Sequence, residues 1–588
     1  MTATMDFERD RRASLRRSIT GGALWSAFVL ALALVFVYPV SMIIIGTFRD
    51  GLPTQAAPLT LQGFLDAFTS EMTWETLLHS TILVVVCGAI AVAGGAMFAW
   101  VGANTNVPGR RWLTPLMVIN LFIPPLFHTM GWLMLGNKQN GLLNQLAQLV
   151  GLPEGFINIQ SWPGLIMLLS LGYMPFAYLL MLGAFKNRDQ ALDEAAAISG
   201  AGTLRTFFTI TIPSVGPAIT GAALLIAVLV FQSFDSPQMI GRQAGIHVFS
   251  TQIYRYIRDS VPAEYTRAFA LALILIVLVL VLFLLQRALL RGRSFTTLTG
   301  KTSRREPQEL GPVRWVFAVL IWIFMLLNLI LPLAAMIIGS MQKIYGVMSL
   351  GLSLDNYVAI LDDPKLSATL TTTAQLALLG GFGSMAVALL TTYVVARRGG
   401  FLKAYTSFAV WIPWALPGLV LALAYMFAIL YIPAFRPLYG TSALMTIVLI
   451  VATIPVSSRI AEGALAQLSP ELEEAGAISG ANRMRVLVSI VLRLVLPSFF
   501  AGWFLAALFI IGNLAVPLLL APPKVTPVAM AAYELFLSGE MSTGAALFMI
   551  ILLAATVVVV AGAVIMKAVS ALQARRGRSG TSLSHIAS

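Results

Sequence analysis

The sequence predicts an all-α integral membrane protein of about twelve transmembrane helices, built as two tandem, parallel repeats of about six. Three observations predict it. The 588 residues are 58% hydrophobic and 11% charged, with a mean hydropathy of +0.86. Soluble domains run at about 25% charged, so the bilayer is the fitting solvent for this chain. Apolar runs of spanning length, about 20 residues each, recur from end to end. Finally, one short polar segment is written twice, as DEAAAISGA at 193–201 and EEAGAISGA at 473–481.

In the first half the expected spans lie near 22–47, 78–102, 112–136, 162–185, 215–235 and 267–286. The first follows the charged start MTATMDFERDRRASLRRSIT, which resembles a signal peptide. The uncharged stretch Ser18 to Phe48 is too long for one, so it reads as a retained membrane helix. The last contains AFALALILIVLVLVLFLL at 268–285. In the second half the spans lie near 313–340, 370–396, 402–430, 441–458, 495–520 and 543–568. Prolines at Pro39, Pro124, Pro125, Pro175, Pro332, Pro413, Pro417 and Pro455 fall inside these runs and read as tolerated. Trp25, Trp100, Trp112, Trp132, Trp315, Trp411 and Trp414 read as interfacial anchors.

The net charge of +13 is distributed as topology signals, not as a nucleic-acid surface. Basic residues crowd the N-terminus, the segment QRALLRGRSFTTLTGKTSRREPQEL at 286–310, the C-terminus, and the turns Arg110-Arg111 and Arg397-Arg398. With twelve spans all of these fall on one side, the cytoplasm. The basic loop 236–267 is an exception to that bias. GKTS at 300–303 is not a phosphate-binding loop, because Phe295 stands where its first glycine is needed. The single Cys87 forms no internal disulfide, and His79, His128, His247 and His585 show no ligand spacing, so they read as ordinary loop, interface or tail residues. No metal site and no catalytic residue is expected.

The repeat extends well beyond the polar segment. Glu194 and Glu474 are 280 apart, and the same offset joins Gly200 to Gly480, Arg205 to Arg485, Pro175 to Pro455, Pro217 to Pro497 and Pro237 to Pro517. Earlier, VYPVSMIIIG at 37–46 resembles ILPLAAMIIG at 330–339, 293 apart. Six spans per unit keep both halves in one orientation, with a pseudo-two-fold axis along the membrane normal and a path between the halves. The expected division is a first repeat over 1–290, a basic linker over 291–311, and a second repeat over 312–588.

The polar segments, near 189–200 and 469–480, carry helix formers, acids in the first turn and a glycine stop. They are about two turns long and too polar to span, so they must dock on something. Here EAAAISGAGTLRTFFTITIP at 194–213 closely resembles the EAA loop of permease subunits in binding-protein-dependent ABC importers. Glu194, Ala195, Ala196, Gly200, Ile210 and Pro213 match it, as do Glu474, Ala475, Gly480 and Ile490 in the second half. Gly476 replaces the second alanine, and the proline is delayed to Pro497.

The resemblance implies a type I ABC importer permease fold, with a fused double permease like the iron(III) transport type. It implies two coupling helices that seat two separate ATP-binding cassette subunits. Those partners would use ATP and Mg, while this chain binds no cofactor. A periplasmic or lipid-anchored solute-binding protein would deliver substrate to this multi-pass protein of the bacterial inner membrane, with both termini cytoplasmic. Iron(III) is the first expectation, with 2-aminoethylphosphonate, thiamine and polyamines as alternatives. By the same resemblance the fifth span of each half lines the path, which points to Gln232, Ser233, Asp235 and Asn513. Asp235 also reads as a helix end already at the outer surface. A secondary transporter of two six-helix halves is the rival, but it usually carries embedded acids for ion coupling, and these spans are nearly free of them.

Overall fold

The computed structural model describes residues 25–49, 51, 54, 58–187, 195–196, 198–289, 307–481, 483–558, 560–561 and 564. Among them nine helices are long and apolar enough to cross a membrane, and three bent pairs bring the number to twelve if each pair is one span. In the first half these are α1 (Trp25–Thr47), α2 (Glu71–Asn104), the pair α3 (Arg110–Phe122) and α4 (Pro125–Gly136), and α5 (Trp162–Lys186). There follow α6 (Gly216–Phe231), bent against Phe207–Ser214, a short outer helix α7 (Phe249–Arg258), and α8 (Tyr265–Leu289). The second half repeats them as α9 (Gly311–Met341), α10 (Pro364–Arg397), the pair α11 (Gly400–Ala415) and α12 (Gly418–Tyr431), and α13 (Ser442–Ala466). It continues with the polar α14 (Pro470–Ile478), then α15 (Leu487–Ile511), α16 (Ala515–Leu520), α17 (Val528–Leu537) and α18 (Met541–Val558).

Two stretches expected as single spans are broken by proline. The third span of each half turns sharply, by 96° between α3 and α4 and by 115° between α11 and α12. Proline disfavours helical geometry in the residue before it and offers no N–H to the ladder. Ile123 and Leu416 are accordingly extended, at ψ 120° and 123°. Pro124, Pro125 and Pro417 are therefore determinants of shape, whereas Pro175 and Pro455 lie inside continuous helices. The fifth spans also differ from expectation. The first ends at Phe231, and the second ends at Ile511, before α16 starts afresh.

The repeat extends to irregularities of the ladder. A π-helical turn at Ala33–Val37 recurs at Leu326–Ile330, and one at Phe207–Thr211 recurs at Leu487–Val491. Hydroxyls on the second spans cap the matched helices α7 and α17 in the two halves. Ser80 accepts from the Phe249 N–H at 3.2 Å, and Thr373 accepts from the Val528 N–H at 2.8 Å. The offset falls from 293 to 280 where the first half has a longer connector between α4 and α5, containing the helix Leu142–Leu149.

Each half lends its first helix to the other. α1 packs on α12, and α9 packs on α4. The chemistry follows from Pro39, whose missing N–H leaves the Val35 carbonyl free. The Tyr425 hydroxyl, from the other half, fills it. In return the Tyr38 hydroxyl donates to the Ala428 carbonyl at 2.8 Å, in the last turn of α12, where carbonyls lack helical partners. Two expected interfacial anchors are inside this packing. Trp100 is buried against Phe207 and Phe317, and Trp132 is buried as well. Trp112 and Trp315 are exposed.

Candidate functional site

The ends of the two fifth spans meet at a cavity of about 310 Å³. Gln232, Ser233 and Asp235 line it from one half, and Asn513, Leu514 and Ala515 from the other. The breaks of the third spans reach the same place, with Ile123 and Pro125 facing it from the first half and Gly418 from the second. The four polar residues singled out in the sequence thus share one cavity. Asp235 is half-buried within it.

Local structure sets what each side chain offers. Gln232 donates to the Trp414 carbonyl at 2.8 Å, across the halves. The Ser233 hydroxyl turns back to the Val230 carbonyl at 2.7 Å, which satisfies the frayed end of α6. The Asn513 side chain accepts from the Val516 N–H at 3.0 Å and so opens α16. Asp235 aligns with Ala515, so the cavity carries its carboxylate on one side only.

Two cavity residues have no counterpart in the sequence reading. His128, on α4, was read as an ordinary loop, interface or tail residue. It is buried, with its Nε2 without a partner. Asn328, in the π turn of α9, is buried with its Oδ1 also unpartnered. Pro332 explains the free Asn328 carbonyl, as Pro39 explains that of Val35. Asn328 reaches the cavity because α9 packs onto α4, which no local sequence signal announces.

At the far end of the molecule lie the twice-written helices. Glu194 lies outside the described residues. In the second half, Glu474 and Ala475 on α14 are exposed, as is Ala195 in the first. Gly200 and Gly480 adopt φ of +75° and +82°. The Ala201 N–H reaches the Ala196 carbonyl at 3.0 Å, and the Ala481 N–H reaches that of Gly476 at 3.1 Å. These are glycine-terminated helix ends in which a left-handed residue lets the chain close on its own last carbonyls. Space around both glycines is open.

The small residues divide into two faces. Ala196 is buried, and a Cβ on Gly476 would lie 2.9 Å from Ile490. These matched positions face their own chain. The outer face instead presents Ile198 and Ile478, each 88% exposed and 280 apart. The shared AISG of the two segments contains them, so the repeat itself was the available signal.

Two like membrane halves, a polar cavity where they meet and a short exposed helix on each half define a membrane transport permease. The chain belongs to the family described as binding-protein-dependent transport system inner membrane component, whose model matches twice, over residues 91–295 and 384–578. It is the permease of an ABC importer, in fused, two-repeat form. A ferric transport system permease protein, FbpB, of Actinobacillus pleuropneumoniae is 24% identical over 81% of this chain and 68% of its own length. An Fe(3+)-transport system permease protein, FbpB 2, of Haemophilus influenzae is 22% identical over 78% of this chain and 83% of its own. The spermidine/putrescine transport system permease protein PotB of Haemophilus influenzae is 26% identical, over 37% of this chain and 74% of its own.

Proposed function

We propose that this permease moves iron(III) across the bacterial inner membrane, handed over by a periplasmic or lipid-anchored binding protein and driven by two ATPase subunits. The observation that carries the iron reading is the extent of the match. The ferric permeases align along most of both halves, while the polyamine permease aligns with about one half's length. The transit site is the cavity, with Gln232, Ser233, Asp235 and Asn513 facing the substrate. One carboxylate attracts a cation without the oxygen cage that would hold a ferric ion tightly. Passage needs that weakness, because an ion that binds too well does not leave.

Each ATPase subunit seats on one polar helix, around Glu194, Ala195 and Gly200 in the first half and Glu474, Ala475 and Gly480 in the second. Ile198 and Ile478 enter the partner surface as apolar anchors, since an exposed isoleucine on a short helix gains most by burial. Ala196 and Gly476 act from behind, by letting each helix lie close to its own half. Closure of the ATPase pair draws the helices together and opens the cavity outward. ATP and Mg belong to those partners. The division at 291–311 then makes each repeat one half of the gate, with linker and both termini on the cytoplasmic side. The test is uptake of radioactive ferric iron into vesicles holding the chain with its ATPase and binding protein. Iron must accumulate only with ATP, and putrescine or thiamine must not compete. Uptake of an organic cation in place of iron would reassign the substrate and leave the permease role intact.

A further inference from the structure

The second docking helix is held by a charged latch. In the second half, Glu473 on α14 spends both carboxylate oxygens on the end of α10. The Arg397 Nε donates to Oε1 at 2.7 Å, and the Tyr393 hydroxyl donates to Oε2 at 2.9 Å. Arg397 Nη2 also donates to the Leu468 carbonyl at 3.3 Å, just ahead of α14. Tyr393 and Arg397 are four apart, so they project from one face of α10. The ion pair is mostly buried, at 21% and 18% exposure, where salt screens it less than a surface pair. Two hydrogen bonds to Glu473 and a third to the residue run just ahead of it thus tie α14 to a helix of 34 residues.

The first half cannot repeat this latch. The offset of 293 places Trp100 and Asn104 where Tyr393 and Arg397 stand. Trp100 packs its ring on Phe207 at 4.8 Å. The end of α2 is joined instead to the segment leading into α9. The Gln308 N–H donates to the Asn104 carbonyl at 2.8 Å, and the Asn106 N–H donates to the Gln308 carbonyl at 3.1 Å. The Leu310 N–H reaches Asn106 Oδ1 at 3.3 Å.

We infer that Arg397 and Tyr393 are positioning residues that make the second docking helix a rigid extension of α10, so the two ATPase seats are mechanically unequal. This rests on the coupling reading above. Motion of the ATPase on the second seat passes directly into α10, which packs on α13 and α15. In the first half the residues matching Tyr393 and Arg397, Trp100 and Asn104, carry no charge with which to make that tie.

The test uses the full complex in vesicles, and reads iron taken up per ATP hydrolysed. Arg397→Gln should lower that ratio about tenfold, in the range by which mutations along a coupling element act. Tyr393→Phe should lower it less, and Asn104→Ala should change it by under about twofold. The swapped pair Arg397→Glu with Glu473→Arg should recover most of the ratio, which a merely structural loss would not allow. Melting temperature and ATPase co-purification serve as controls, and Glu473→Gln replaces Arg397→Gln if the latter fails to insert. A ratio unchanged in Arg397→Gln and Glu473→Gln, or unrecovered in the swap, overturns the latch alone. An equal loss in Asn104→Ala overturns the inequality. If the wild-type chain retains no ATPase, the coupling reading fails and the latch falls with it.

Discussion

A lone carboxylate where two membrane-embedded halves meet is costly unless it serves the traffic, because polar groups at that depth are expensive when unused. Asp235 is such a group, opposite Ala515. Asp235→Asn should slow cation uptake roughly tenfold, the equivalent of about 1.4 kcal/mol, with binding-protein docking unchanged. Initial rates across iron concentrations measure it, and unaltered rates would make Asp235 a bystander. At the docking face, Ile198→Asp with Ile478→Asp should abolish ATPase retention in a pull-down while the chain still inserts. Gly200 and Gly480 occupy the left-handed region, where a side chain costs about 1–2 kcal/mol per residue. Replacing both by leucine should therefore distort the helix ends and uncouple ATP hydrolysis from uptake. Normal uptake in that double variant would remove the glycines from the coupling account.

At the scale of elements, the repeated polar segment was legible because the register of alanine, isoleucine, serine and glycine survives at an offset of 280. The polar cluster of Gln232 to Asp235 and Asn513 was legible for the same reason, since these residues interrupt apolar runs at matched places, although the helices themselves stop earlier than expected, at Phe231 and Ile511. The sharp turns at Pro124–Pro125 and Pro417 were not. A membrane proline bends or breaks a helix according to whether neighbours satisfy the freed carbonyls, and those neighbours come from other elements. Val35 is an example: the Tyr425 hydroxyl serves its carbonyl from a helix far away in sequence. The inward role of Gly476 was hidden likewise, because a small residue reads the same whether it admits a partner or its own Ile490. Gly476→Leu should displace α14, given the 2.9 Å that a Cβ would already have to Ile490. ATPase retention and protease sensitivity near α14 measure this, and a variant identical to wild type in both would show that the contact yields freely.

For the whole molecule, the exchange of first helices makes the two halves one body. α1 and α9 each pack on the opposite half, so a chain cleaved within the linker should still purify as a pair of fragments in mild detergent. Separation of the fragments would mean that the crossing contacts, including Tyr38 to Ala428, are weaker than their geometry implies. The central claim is that the polar helix occurs twice to seat two ATPases. The most direct measurement is the intact mass of the complex purified through a tag on this chain. The account predicts one copy of the 588-residue chain with two ATPase subunits, falling to one when Ile478→Asp is introduced alone. A wild-type complex with a single ATPase, or a chain that purifies alone where other ABC complexes stay together, would contradict it.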